Sequence, residues 1–199
     1  MAFGLTEGFE GLLSELVDLL PPVFHGHYQK PGRSYFLKAY SEEYQGTFWK
    51  MKLVDRMKVK SVNKSASDNI IRLNESHTDE LEKMYESAYP DGYFERRMLH
   101  SGKFFGYLHD GQIVSCAGVH VDSEEYNAAV LGSIATLPEF RGKGLATLVT
   151  ARVLKELISK RDTIMLNVNG ENTAAVKCYA NLGFEKSHEY EEGLFSIKK

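Results

Sequence analysis

Apolar residues recur with two different periods along this chain of 199 residues. Between Gly8 and Leu20, the residues Leu12, Leu13, Leu16, Val17 and Leu20 recur at helical spacing, and Pro21-Pro22 ends the run. The aromatic-rich stretch Ser34–Tyr44 predicts a second helix, whereas Thr47–Val59 reads as extended or mixed. Ser61–Asp68 has no apolar period and reads as a linker. Strands and helices alternate beyond it. Asn69–Leu73 predicts a short strand, Thr78–Tyr89 a helix stopped by Pro90, and Asp91–Leu99 a second short helix. Phe104–Leu108 and Gln112–Val121 flank Asp110-Gly111, the turn signal of a hairpin. Tyr126–Thr136 predicts a strand, Gly144–Lys160 a long amphipathic helix, and Thr163–Val168 another strand. Asn172–Leu182 predicts a helix ended by Gly183, and a hairpin-like segment completes the chain. The sum is an α+β fold, a mixed and mostly antiparallel sheet flanked by helices, with a mainly helical N-terminal extension.

Length and composition add limits. The chain is long enough for one domain with an appendage, divided here as residues 1–60 and 69–199. Lys and Arg number 24 against 27 Asp and Glu, a net charge of −3, which argues against a general nucleic-acid binder and leaves room for a local basic site. Cys116 and Cys178 lack metal-ligand spacing and read as buried small hydrophobes in a reducing compartment. Glu7, Glu10, Glu15 and Asp18 interrupt the first apolar run, and no Lys or Arg precedes it. That pattern fits neither a signal peptide nor a membrane span, so a cytoplasmic protein is expected. His25 and His27 have no third ligand at suitable spacing, and no metal is expected.

The stretch most informative about chemistry runs from Thr136 through Arg141, Gly142, Lys143, Gly144, Leu145 and Ala146 to Thr147. It lies between an expected strand and the long helix. Gly142 and Gly144 permit a tight turn and close approach to a ligand. A helix N-terminus offers free N–H groups and about half a positive charge, which suits a phosphate. Arg141 and Lys143 add cationic donors, so a pyrophosphate is the natural guest. Read alone, the segment is equally an ordinary glycine-rich turn. It is no P-loop, because Gly144 follows Lys143 where Ser or Thr is required. It is no dinucleotide fingerprint either, because Thr147 stands where the third glycine belongs. On the later helix, Asn172 is a good N-cap, and Tyr179 projects on nearly the same face two turns on, with small Ala175 between them. A tyrosine so placed is otherwise a core residue.

Together these segments resemble the GCN5-related N-acetyltransferases (GNAT). Arg141, Gly144 and Ala146 match that superfamily's Arg/Gln-x-x-Gly-x-Gly/Ala signature, and Asn172, Ala175, Tyr179 and Gly183-Phe184 match the pattern of its later helix. The resemblance covers roughly Asn69–Lys199. It implies acetyl-CoA as the acetyl-donor cosubstrate and a primary amine of a small molecule or peptide as the acceptor. It further implies that Ile134, Ala135 and Thr136 pair with the pantetheine arm and that the backbone of Gly142 through Thr147 holds the pyrophosphate. Asn172 would touch the cofactor arm, and Tyr179 would stand near its sulfur as general acid. The branch that acetylates ribosomal protein N-termini carries a Glu five residues before the motif Asn; here that residue is Asn167, which cannot serve as a base. His120 is then the best candidate for the base, since an ordinary pKa of about 6.5 suits that task, beside its reading as a hydrogen-bonded structural histidine; Glu124, Glu125, Tyr126 and a water chain are the weaker alternatives. Dimerisation is common in the family and is expected only on that ground. A non-catalytic acyl-CoA-binding or regulatory module is the competing reading.

Overall fold

A computed structural model describes residues 2–3, 9–62, 68–90, 92 and 94–198. The expected linker therefore lies largely outside the described residues, as does Asp91, the start of the expected second short helix. The chain folds into an α+β arrangement, with a mixed and mostly antiparallel sheet flanked by helices. By their contacts the residues form two compact units. One holds the chain up to Lys50, Val168–Thr173 and Lys186 onward; the other holds Met51–Asn167 and Ala174–Glu185.

The first unit contains β1 (Ala2–Phe3), α1 (Phe9–Leu16), β2 (Val23–Tyr28), α2 (Arg33–Ala39), most of β3 (Tyr40–Leu53) and most of β9 (Phe184–Ile197). The first 60 residues thus hold strands beside the helices expected of them. The helix expected over Ser34–Tyr44 stops at Ala39, and Tyr40 is already extended. Tyrosine suits a strand, and Tyr40 is buried among Phe24, Phe36 and Phe195. The C-terminal segment, expected to fold back as a hairpin, is one continuous strand. Its partner is remote: β9 pairs antiparallel with β2, from Val23–Ser196 to Tyr28–Glu191. The stacked Phe24 and Phe195 rings, 5.1 Å apart, lie at the centre of this unit's core. Buried Glu42 receives the Tyr28 hydroxyl and Arg33 Nε, the latter at 2.6 Å.

The second unit carries the remaining elements, apart from Val168 and Asn169 at the end of one strand and Thr173 at the start of one helix. Its strands run in the order β4 (Ile70–Arg72), β5 (Phe105–His109), β6 (Gln112–Ser123), β7 (Ala128–Thr136) and β8 (Thr163–Asn169). The pairs are antiparallel except β7 with β8, which is parallel. Asp110 and Gly111 turn the β5–β6 hairpin at φ +50° and +80°, as the Asp-Gly signal predicts. Helix α4 (Thr78–Ala88) buries Leu81, Met84, Tyr85 and Ala88, and α5 (Leu145–Leu157) buries Val149, Val153, Leu154 and Leu157. Instead of the expected short helix before Phe104, the chain makes tight 3₁₀ turns over Arg96–Ser101. Short α3 (Arg56–Ser61) occupies the end of the stretch that reads as mixed in sequence.

Helix α6 (Thr173–Asn181) ends on Gly183 at φ +95°. A Cβ there would lie 2.1 Å from Asp55 O, and the Gly183 carbonyl accepts the N–H groups of Val54 and Asp55 at 2.9 and 3.1 Å. Only glycine fits that stop.

Candidate active site

The site develops from the end of β7. The β6–β7 register passes from Gly118–Gly132 to Cys116–Ala135, leaving Ser133 and Ile134 opposite Ala117 alone. This is a β-bulge, and Ser133 stands in it at φ +52°. The parallel ladder to β8 runs from Ala128–Thr163 to Leu131–Leu166, while β7 continues through Thr136. Ile134 and Thr136 are half-buried and Ala135 is buried. Buried Ser115 of β6 ties this end down, its hydroxyl 3.1 Å from Ala135 O and 2.8 Å from Thr136 Oγ1.

The turn that follows is shaped for close approach. Gly142 and Gly144 lie at φ +75° and +77°, and a Cβ on either would meet nothing within 4 Å. Gly144 is the N-cap of α5, whose first residues are Leu145, Ala146 and Thr147. Lys143 rests its ammonium 4.7 Å from the centre of the Phe140 ring. Arg141 is exposed and also braces the turn. Its Nε donates to Thr136 O at 3.2 Å and its Nη2 to Ala88 O at 2.8 Å, which draws the turn against β7 and the end of α4. A guanidinium at a helix C-terminus is also favoured by the helix dipole. The glycine-rich backbone, Lys143 and Arg141 are all exposed at this turn, a donor set that fits a pyrophosphate.

Tyr179 of α6 is buried, with its ring edge-on to Phe184 at 6.2 Å. Burial, with smaller contributions from Cys178 and Tyr89, pushes its phenol well above the ordinary range, so it stays protonated. Among the described residues its hydroxyl has no hydrogen-bond partner. Cys178 beside it is half-buried rather than buried, and its sulfur lies 3.2 Å from Thr147 Oγ1. Asn172 stands just before α6, its N–H donating to Asn169 O at 3.0 Å; by its contacts it belongs to the first unit.

His120 Nε2 lies 2.7 Å from Ser133 Oγ. Its ring covers Gly132, where a Cβ would meet it at 2.2 Å. Burial holds the imidazole below its ordinary pKa, in the neutral form at pH 7. Sequence reasoning missed two residues here. The Tyr85 hydroxyl donates to Ser133 O at 2.6 Å and lies 3.0 Å from Cys116 Sγ. Burial raises the Tyr85 phenol well above its ordinary value and the Cys116 thiol to about 11. Tyr85 falls in the apolar stripe of α4 and so reads as core, and nothing local announces the bulge at Ser133.

Known proteins share this fold. Residues 70–184 match the acetyltransferase (GNAT) family. A GNAT-family acetyltransferase from Novosphingobium aromaticivorans is similar over 94% of this chain and 80% of its own, with a TM-score of 0.70 at 20% identity. A GNAT-family acetyltransferase from Colwellia psychrerythraea matches 98% of this chain and 76% of its own, with a TM-score of 0.62 at 15% identity. The ribosomal-protein-S18-alanine N-acetyltransferase from Escherichia coli matches 65% of this chain and 94% of its own, with a TM-score of 0.51 at 19% identity. At these identities the likeness to each structure is one of fold.

Proposed function

This chain belongs to the GNAT acetyltransferase family, and from that premise we propose that it moves an acetyl group from acetyl-CoA to a primary amine of a small molecule or peptide. The observation that carries the reading is the run of a bulged strand into a glycine-lined turn at the start of α5. It offers strand-end backbone to an extended arm and helix N–H groups to a pyrophosphate within one continuous segment.

Acetyl-CoA supplies a thioester, whose carbonyl carbon is attacked by the amine and whose sulfur leaves. The backbone of Gly142 to Thr147, with Arg141 and Lys143, holds the pyrophosphate, and the Arg141 hydrogen bonds to Thr136 O and Ala88 O keep the turn tight. Ile134, Ala135 and Thr136 pair with the pantetheine arm. The Ile134 N–H takes up negative charge developing on the carbonyl oxygen. Tyr179, protonated and uncommitted, donates to the departing sulfur, and neutral His120 takes the proton released by the amine.

A cavity of about 320 Å³ lined by Glu82, Tyr85, Glu86, Pro90, Gly92 and Phe94 supports a cationic acceptor. Its rings are the stacked Tyr85 and Phe94, 4.8 Å apart. Glu82 is paired with Arg96, at 2.8 and 2.7 Å, while Glu86 has no ion pair among the described residues. Aromatic faces beside a free carboxylate attract an ammonium group. The Asn167 substitution argues against the ribosomal-protein branch.

The test is free-thiol release from acetyl-CoA across a panel of monoamines, diamines and short peptides, measured beside the affinity for acetyl-CoA. Amine-dependent release is the expected result. Tight binding with no release on any amine would contradict the proposal and favour a regulatory acyl-CoA-binding module.

A further inference from the structure

Ser133 lies at φ +52° inside a strand, with Gly132 next to it. A left-handed conformation at a non-glycine residue is strained and persists only where the surroundings hold it. Gly132 does not relieve the strain, because its missing side chain makes room for the His120 ring. Ser133 is held from several sides instead. The Tyr85 hydroxyl donates to its carbonyl at 2.6 Å, and Cys116 Sγ lies 3.5 Å from the same oxygen. His120 Nε2 is 2.7 Å from its hydroxyl, and Met98 Sδ is 3.9 Å from it. Tyr85 is 5% exposed and stacked on Phe94, so its hydroxyl has little freedom to swing away.

Among the described residues there are no cis peptide bonds. In a trans peptide the C=O and N–H point in opposite directions. A hydroxyl that grips the Ser133 carbonyl therefore also fixes the direction of the Ile134 N–H, which belongs to the same peptide plane. We propose that Tyr85 is a positioning residue: by holding the Ser133 carbonyl it aims the Ile134 N–H at the oxygen of the acetyl donor. This rests on the acetyltransferase reading above and adds a residue of α4 that acts through the bulge.

The experiment is isotope-edited infrared spectroscopy of acetyl-CoA labelled at the acetyl carbonyl, bound to the wild-type protein and to Tyr85→Phe, with kcat and KM measured alongside. Wild type is expected to lower the carbonyl frequency relative to water. Tyr85→Phe is expected to lose much of that shift and to lower kcat by about 10- to 100-fold, with the acetyl-CoA KM changed by less than about 2-fold. A merely structural Tyr85 would alter the melting temperature and leave the carbonyl band in place. An unchanged band, with kcat within about 2-fold of wild type, overturns the proposal while leaving the acetyltransferase reading intact. Wild type without turnover defeats that reading, and this inference with it. If Tyr85→Phe does not fold, a ring-fluorinated tyrosine in place of Tyr85 decides. Its more acidic hydroxyl donates more strongly, so a changed band supports the proposal and an unchanged band overturns it.

Discussion

Tyr179 and Tyr85 are both buried phenols kept protonated by loss of solvation, and they differ in what their hydroxyls hold. Tyr85 is committed to a backbone carbonyl, whereas the Tyr179 hydroxyl has no partner among the described residues, as the proposed proton donor requires. His120 is shifted in the other direction, because burial favours its neutral form. If neutral imidazole receives the proton of the amine, kcat/KM is full above its pKa and falls as pH drops through it. That limb lies below the ordinary value of about 6.5. His120→Asn is expected to lower kcat by about 10²- to 10⁴-fold and to flatten the limb in a pH–rate profile; a limb that survives the substitution removes His120 from the mechanism. Legibility at this scale follows backbone demand. Gly142, Gly144 and Gly183 are readable because each turn needs a positive φ. The aim of Arg141 is not, since the carbonyls of Thr136 and Ala88 are brought to it by tertiary folding. Ser133 is hidden for the same reason.

Among the elements, α5 depends on its two ends. Its N-terminus is left open by Gly144 and the turn before it. Near its C-terminus, Arg56 donates to Ile158 O at 2.5 Å, Arg161 O at 2.8 Å and Asp162 O at 2.7 Å. These charge-assisted bonds, one to the C-cap carbonyl and two to the segment after it, tie down the end of the helix that begins at the glycine-rich turn. Arg56→Ala is expected to cost about 1–2 kcal/mol, a fall of several degrees in Tm on thermal unfolding. Arg56→Lys should restore less than half, because a single ammonium cannot reproduce the planar fork. No change in Tm would show that the cap is dispensable. The elements themselves are largely legible: α4, the Asp110-Gly111 hairpin, β7, α5, β8 and α6 appear where periodicity and stop signals put them. Two misreadings share one cause. The α2–β3 boundary at Tyr40 and the unbroken β9 are set by partners distant in sequence, which no local period encodes.

For the whole molecule, the family match spans 70–184, nearly all of it within the second unit. The first unit unites the chain's two ends, a grouping invisible to pattern reading. The net charge of −3 is compatible with an anionic cosubstrate, because the expected donors are local backbone groups, Arg141 and Lys143 rather than a global basic surface. Among the described residues no helix is long and apolar enough to cross a membrane. The central claim is acetyl transfer with Tyr179 as the proton donor to the departing thiolate. It is tested most directly by turnover of Tyr179→Phe at saturating acetyl-CoA, with the dissociation constant for acetyl-CoA measured on the same preparation. The account predicts a kcat lower by about 10²- to 10⁴-fold and a Kd within about 2-fold of wild type; near-normal turnover with intact binding would contradict it.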